Sequence, residues 1–263
     1  MVNYASSADT LQQIKWRVWR AREQLETFDS LVESTLKDNF YSVLYQQNRN
    51  KRLTIRIDKV KPFPANCILL IGEISHNLRS ALDHIAFSLS CPITESEEKN
   101  VKFPICSSPN EFKRRHINAL KGASKKAISC FEKVQPYHRR KWPDTKFLGQ
   151  LQAINNWDKH RSFSIVGASA ATATVDIEIT GHTSIVKQKA FRGRIEPNKI
   201  IVRLLPGESA VGAKIKCVPN LGIYPIFDNR MPKEIRNTGV RGILSGAGRF
   251  IQEELIPIFE PFF

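Results

Sequence analysis

The fold is decided by one segment, residues 73–87, which reads EISHNLRSALDHIAF. On a helical wheel, at about 100° per residue, its apolar residues fall on one side and nearly all of its polar residues on the other. This segregation predicts a helix from about Ala65 to Ser90 whose apolar side packs in a core. The polar side has no lysine, unlike an ordinary solvated helix face. It holds Glu73, His76, Asn77, Arg79, Ser80, Asp83 and His84.

The elements around this segment predict an α+β fold. Apolar residues at helical spacing predict further helices at 8–39, 110–120, 124–134, 145–160 and 233–255, and alternation predicts a strand at 52–60. Short β-rich runs between Gly, Pro and Asn predict an antiparallel sheet of about five or six strands within 162–227. The expected domains are a helical bundle at 1–161, an antiparallel β-rich section at 162–230 inserted before the last helix, and a C-terminal helix at 231–263 that returns to the bundle.

The charge of the chain favours a polyanionic partner. The 263 residues carry a net charge of +15, and residues 111–146 hold 11 basic and 3 acidic side chains. Phosphate contacts from such a cluster release counterions, which favours RNA or DNA as the partner. The predicted nucleic-acid-binding residues here are Lys113, Arg114 and Arg115. The alternative is an intracellular protein that is basic without binding nucleic acid.

Other patterns bear on location and chemistry. The N-terminal residues lack the apolar stretch of a secretory signal, and the longest apolar run, CILLIG at 67–72, is too short to span a bilayer, so we expect a cytoplasmic protein with no membrane partner. Five cysteines without a C-x-x-C pair predict reduced thiols and no zinc cluster. Nucleotide-binding, serine-hydrolase and metalloprotease motifs are missing from the sequence, so neither a cofactor nor a metal is expected.

Two interpretations of the polar helix face follow from its residue types. In the structural one, Asp83 pairs with Arg79 one turn earlier and the histidines are satisfied core or interface groups. In the functional one, Arg79 grips a phosphate and His84 transfers a proton, because guanidinium binds phosphate bidentately and imidazole titrates near neutral pH. The remaining polar residues of the face would support that pair.

Arg79-Ser-Ala-Leu-Asp-His84 has the spacing R-x4-H, which resembles the signature of HEPN-domain ribonucleases, a superfamily of helical bundles common in bacterial toxin and antiviral defence systems. The resemblance implies a metal-independent endoribonuclease in which His84 assists attack of the ribose 2′-hydroxyl and Arg79 stabilises the charge on the phosphate. A wider pattern of HNLRSALDHIAF, FPI, VQPYH and NNWDKHR also resembles a family of uncharacterised bacterial proteins.

The segment NNWDKHR, residues 155–161, is a second candidate constellation. Its basic residues suit a helix C-terminus because they complement the helix dipole, which is a purely structural explanation. In the functional interpretation, Trp157 anchors the helix end, Asp158 and His160 orient the site on the second helix, and Lys159 or Arg161 meets a phosphate.

Phe87 shares the polar side of the central helix, so another element should cover part of that side. In a HEPN-like arrangement this cover is the same helix of a second subunit, which predicts a homodimer. Cover from the helix around Trp157 in a monomer is the alternative. We therefore expect an RNA-binding protein or ribonuclease, and the alternative is a non-enzymatic nucleic-acid-binding or scaffold protein with a structural polar network.

Overall fold

The computed structural model describes residues 7–47, 53–90, 94–169, 172–179, 183–203 and 221–263. It confirms the predicted α+β fold class. The chain divides into two compact units. The helical unit comprises residues 1–29, 65–164 and 229–263, and the sheet unit comprises residues 30–64 and 165–228.

The helices follow the predicted apolar spacing closely. Two are opened by serine caps: Ser108 accepts a hydrogen bond from the Glu111 amide, and Ser124 accepts one from the Ala127 amide. A π-helical turn at Ile251–Leu255 joins the last two helices. In chain order the helices are α1 (Ser7–Lys37), α2 (Ala65–Ser88), α3 (Glu95–Glu98), α4 (Pro109–Ala119), α5 (Lys125–Lys133), α6 (Lys146–Asp158), α7 (Val240–Phe250) and α8 (Ile256–Phe259).

The core of the helical unit forms around α2. Its apolar side is buried, including Ile71, Leu78 and Leu82, and it packs against α6 and α7. Next to it, the rings of Phe131 and Phe259 lie 4.5 Å apart, and both contact the Phe103 ring. Burial of large apolar side chains is the main source of stability for such a bundle, so α2 is both its central helix and the support for the polar residues on its other side.

Gln135 fixes the extended segment that follows α3. Its side chain is fully buried and accepts a hydrogen bond of 2.8 Å from the Cys106 amide. Its Nε2 donates to the carbonyls of Pro104 and Phe131, each at 2.8 Å. One side chain thus ties the sequence FPI at 103–105 to the end of α5.

The sheet unit contains three small antiparallel sheets among its described residues. Their strand orders are β1-β2-β7, β6-β3-β8 and β4-β5. Ile55 and Ile57 are buried, and the rings of Phe40 and Phe63 lie 4.9 Å apart. The strands are β1 (Tyr41–Gln47), β2 (Leu53–Val60), β3 (Ile165–Ser169), β4 (Thr172–Ile179), β5 (Thr183–Ala190), β6 (Gly193–Arg194), β7 (Ile200–Arg203) and β8 (Ile223–Phe227).

The structure corrects the predicted organisation in three respects. Residues 30–64 cluster with the strands rather than with the bundle, because β2 pairs with β7 far along the chain. The strands form several sheets instead of one. The last helix begins at Val240 rather than near 233, because turns precede it and Asn237 has a left-handed φ of 59°. The strand predicted at 213–218 lies outside the described residues.

Candidate functional site

Arg79 is buried in the helical unit and held by four hydrogen bonds. Its Nε donates to Asp83 Oδ2 at 3.1 Å and its Nη2 donates to Asp83 Oδ1 at 2.7 Å. Nη1 donates to Gln152 Oε1 of α6 at 3.0 Å, and Nη2 also donates to the Phe103 carbonyl at 2.8 Å. Arg79 is 8% exposed. Four of the five N–H donors of the guanidinium therefore bind groups of the protein itself, in the geometry of the structural interpretation.

Asp83 is the negatively charged partner of Arg79 in this cluster. Its Oδ1 also accepts a hydrogen bond of 2.9 Å from the Phe103 amide. Arg79 and Asp83 together satisfy both backbone polar groups of Phe103, whose ring lies in the core. Buried backbone groups are costly when unpaired, so this ion pair anchors the extended segment on α2.

His84 faces a different part of the helical unit from Arg79. Residues five positions apart on a helix are separated by about 140° around its axis. His84 is half-buried, and burial is the main cause that lowers its pKa, with Arg17 of α1 as the second cause and Asp83 acting in the opposite direction. The cation that acts on His84 is thus Arg17, so the imidazole is neutral at pH 7.

Sequence analysis missed Arg17 as a partner of this helix. A signal was present, since the stretch IKWRVWRAR at 14–22 holds four basic residues and no acidic one. The effect of Arg17 on the pKa of His84 joins residues far apart in the sequence, which no local pattern reveals. Of the two arginines, Arg17 is the one whose charge acts on the pKa of His84.

The polar side of α2 is partly covered by α1. Gln24 of α1 is buried and donates from Nε2 to Glu73 Oε2 at 2.7 Å. Its Oε1 accepts a hydrogen bond of 2.8 Å from Asn77 Nδ2. Beside this pair, His76 is exposed and Ser80 is half-buried. The bonds of Gln24 make this part of the predicted supporting set a structural connection between α1 and α2.

The NNWDKHR segment meets α2 at a distance from His84. A Cβ placed on Gly72 would lie 2.7 Å from Asp158 Oδ2, so Asp158 contacts α2 at that glycine. Gly72 is twelve residues from His84, which is about 18 Å along a helix that rises about 1.5 Å per residue. The structure therefore does not bring Asp158 to the predicted catalytic pair.

The end of α6 is held by Trp157. Its Nε1 donates to the Ser162 carbonyl at 3.1 Å, and the Arg161 guanidinium lies 4.7 Å from its ring centroid. The neighbouring side chains of Lys159 and His160 are exposed. Trp157 thus anchors the helix end, and Arg161 has a cation–π partner at the surface.

The basic segment, defined as residues 111–146, presents all of its lysines and arginines to solvent. The predicted binding residues Lys113, Arg114 and Arg115 are exposed on α4, although Arg115 pairs with Glu111 at 3.1 Å. Several cations of the segment, one of them on α4, make no ion pair with the part of the chain that the structure describes. These are Lys113, Lys125, Lys126, Arg139, Arg140 and Lys141.

A surface cavity of about 620 Å³ lies at the start of α4, lined by Ser107, Ser108, Glu111, Arg114 and Arg115. The Ser107 amide donates to Glu111 Oε2 at 2.7 Å and is the main cause that lowers the pKa of Glu111. Glu111 therefore stays anionic and occupies the helix N-terminus itself. Its charge offsets part of the surrounding positive field.

Of the three described cysteines, two are poor nucleophiles and the third, Cys130, is a half-buried free thiol. Cys67 and Cys106 are buried free thiols, and burial is the main cause that raises the pKa of each. A thiol with a raised pKa is a weak nucleophile at neutral pH. Cys91 and Cys217 lie outside the described residues.

Within the described ranges, no group of three or more His, Cys, Asp or Glu side chains is arranged to hold a metal ion. Over the same ranges, none of the helices has both the length and the apolar character needed to cross a membrane. Comparisons with family models, curated protein sequences and solved structures gave no match to this chain.

Proposed function

We propose that this chain is an RNA-binding protein whose basic segment, residues 111–146, contacts the phosphate backbone. One observation carries the proposal: all eleven lysines and arginines of this segment are exposed. Phosphate binding releases condensed counterions only where cations reach the polyanion, and exposure to solvent is what allows these side chains to do so. The Arg79–Asp83 pair then has the structural role that its four hydrogen bonds support.

The unpaired members of the segment matter most for this function. A cation already paired with a carboxylate must give up that partner before it binds phosphate, whereas Lys113, Lys125 or Arg139 gives up only water and counterions. Arg115 is the exception on α4, because it pairs with Glu111. Affinity should therefore come chiefly from the cations that lack an ion pair.

A salt titration tests the proposal. We expect Lys113→Ala/Arg114→Ala/Arg115→Ala to weaken binding of a single-stranded RNA oligonucleotide and to lower the slope of log K against log salt by up to about 2, since each phosphate contact contributes about 0.7. A matched control is Lys37→Ala/Lys61→Ala/Lys99→Ala, which removes the same charge from exposed lysines that are already ion-paired. Equal effects of the two triple variants would overturn the assignment of the binding face.

A second candidate function is metal-independent RNA cleavage of the HEPN-like kind. The observation that favours it is the half-buried position of His84, where burial first and the charge of Arg17 second lower the pKa of the imidazole and so favour its neutral form. In this reaction His84 accepts the proton of a ribose 2′-hydroxyl, the 2′-oxygen attacks the phosphorus, and the bond to the 5′-oxygen breaks. The leaving oxygen takes a proton from the imidazolium or from water, and Arg17 stabilises the charge on the phosphate.

The cleavage assay is done with EDTA. His84→Ala and Arg17→Ala should each abolish cleavage of single-stranded RNA while the far-UV circular dichroism stays unchanged. Activity that survives both substitutions, or that EDTA abolishes, would eliminate this candidate. If RNA binding depends on the basic segment and no cleavage is detected, RNA binding is the remaining function.

The homodimer stays a prediction. Its reason was the need to cover the polar side of α2, and within one chain Gln24 of α1 and Gln152 of α6 already bind residues of that side. Light scattering at micromolar concentration distinguishes a dimer of about 60 kDa from a chain of 30.0 kDa.

A further inference from the structure

Two tryptophans stand on the outward face of α1. Trp16 is 59% exposed and Trp19 is 58% exposed, while Ile14, Val18 and Ala21 of the same helix are buried. Residues three apart on a helix are neighbours, with their Cβ atoms about 5–6 Å apart. The two indoles are therefore neighbours on the solvent side of a helix whose other side is fixed in the core.

Cations flank the two tryptophans, and three of them form exposed ion pairs with glutamates. The stretch at residues 14–22 has four basic side chains and no acidic one. Lys15 pairs with Glu260 at 2.9 Å, Arg20 with Glu23 at 3.3 Å and Arg22 with Glu26 at 3.6 Å. All three pairs are exposed to solvent, where an ion pair contributes little, so a polyanion can compete for the cations.

A groove runs beside the tryptophans. It has a volume of about 620 Å³, and its lining includes Trp16, Trp19, Lys15, Arg22, Ile256 and Glu260. Such a volume is within the range of sites for small planar ligands such as a nucleobase. Two aromatic faces and two cations at one groove are the components of a stacking platform for a single strand.

The character of this face decides between occupants. Lys15, Arg20 and Arg22 each pair with a glutamate of the same chain, so charge does not select a second copy as the occupant, and a dimer formed through this face is one outcome of the light scattering described above. A bilayer surface requires a continuous apolar face that inserts into the acyl boundary. Here the exposed apolar groups are two indoles, and Lys15, Arg20 and Glu23 beside them are hydrophilic. Bases of a single-stranded nucleic acid need only the indole faces and nearby cations.

We propose that Trp16 and Trp19 form a stacking platform for unpaired bases of a single-stranded nucleic acid, with Lys15 and Arg22 exchanging their exposed glutamate partners for the adjoining phosphates. This inference rests on the proposed RNA-binding function but uses residues outside the basic segment. It assigns to α1 the recognition of unpaired bases, and to residues 111–146 the electrostatic attraction. Stacking accepts any base, so the platform should prefer single strands over duplexes without strong sequence preference.

The test compares Trp16→Ala/Trp19→Ala with Trp16→Phe/Trp19→Phe in the full chain. We expect the alanine variant to bind a 12-nucleotide oligo(U) at least about tenfold more weakly, since each stacked base contributes a factor of roughly five or more. The phenylalanine variant should bind within about threefold of the unmodified chain, because it keeps an aromatic face. Leu69→Ala is a matched control for an exposed apolar residue, since Leu69 is 61% exposed on α2.

A competitor separates stacking from charge. Inorganic polyphosphate has the phosphates but no bases, so its affinity should be the same for the alanine variant and the unmodified chain, and it should not quench tryptophan fluorescence by stacking. Oligo(U) should quench the fluorescence of the unmodified chain, and this quenching should fall in the alanine variant. Equal affinity of the alanine variant for oligo(U) would overturn the platform while leaving the basic segment in place. If the unmodified chain instead shows no salt-dependent binding that depends on residues 111–146, the RNA-binding proposal itself is overturned.

Discussion

Arg79 and Asp83 form a bidentate ion pair inside the helical unit, with Nε 3.1 Å from Oδ2 and Nη2 2.7 Å from Oδ1. Through this pair α2 also holds the Phe103 backbone and Gln152 of α6. The pair is therefore a junction between the central helix, a neighbouring helix and the segment at 103–105. Its location gives Arg79 a role in stability.

Arg79→Ala should lower the free energy of unfolding by about 3 kcal/mol, because it leaves Asp83 without its counter-ion and the Phe103 carbonyl without a donor. Urea unfolding followed by circular dichroism measures the change. The control is Arg22→Ala, which removes an exposed partner of Glu26 and should cost at most about 0.5 kcal/mol. Similar losses for the two variants would show that the buried pair contributes no more to the free energy of unfolding than an exposed pair does.

The stability of the fold should depend on the protonation of His84. Burial and, second, Arg17 lower the pKa of His84 in the folded chain, so the unfolded chain binds this proton more readily. The contribution to stability is therefore complete above the unfolded pKa of about 6.5 and is lost as the pH falls through the folded pKa. His84→Gln should reduce the loss of unfolding free energy between pH 7 and pH 5.

Imidazole titration by NMR checks the same assignment without unfolding. The His84 signal should titrate at a lower pH than a free imidazole, and Arg17→Gln should move its midpoint upward, because one of the causes is removed. A midpoint that does not respond to Arg17→Gln would place the arginine too far away to act on His84.

Two glycines of α7 should respond in opposite ways to alanine. A Cβ on Gly246 would overlap the Phe147 ring, whereas a Cβ on Gly242 would meet nothing within 4 Å. Gly246→Ala should lower the unfolding temperature strongly, because Phe147 is buried and its ring must shift. Gly242→Ala should leave it unchanged or raise it, since alanine is favoured over glycine in a helix by up to about 1 kcal/mol. Thermal unfolding of both variants tests the close approach of α7 to α6.

The apolar patterns predicted most of the helical unit from the sequence. The wheel of residues 73–87 gave α2 nearly its observed ends, since one continuous apolar side requires one helix. The partners of β2 and the division into several sheets could not be predicted, because strand pairing is chosen between distant segments. The start of α7 was missed because the turns before it depend on Asn237, whose left-handed conformation is only one of those open to asparagine.

The candidate pair of α2 shows the same limit at the level of side chains. The spacing R-x4-H was visible, and so was the angle of about 140° that separates Arg79 from His84 on a helix. The groups that act on each residue could not be predicted, because Gln152, Phe103 and Arg17 come from other parts of the chain. A motif on one helix therefore predicted which residues are polar and inward-facing, but not whether they act together.

Gln135 offers a test of the segment that Arg79 and Asp83 also hold. Its amide accepts from the Cys106 amide and donates to the carbonyls of Pro104 and Phe131, so all of its strong hydrogen bonds are to backbone. Gln135→Glu keeps the acceptor but, when ionised, replaces the donor with a negative charge beside two carbonyl oxygens. The fold should therefore favour the protonated form of the introduced carboxyl group and raise its pKa above the usual value near 4.3.

The sign of the pH dependence follows from that raised pKa. Relative to the unmodified chain at the same pH, the Gln135→Glu variant should be least destabilised below about pH 4, where the group is protonated in both states. The destabilisation should grow as the pH rises toward the folded pKa and then stay constant. Gln135→Met is the matched control, because it fills a similar volume, removes all three hydrogen bonds and adds no titratable group. Urea unfolding of both variants between pH 4 and pH 8 measures the difference, and a pH-independent loss in the Gln135→Glu variant would mean that its side chain has turned away from Pro104 and Phe131 toward solvent.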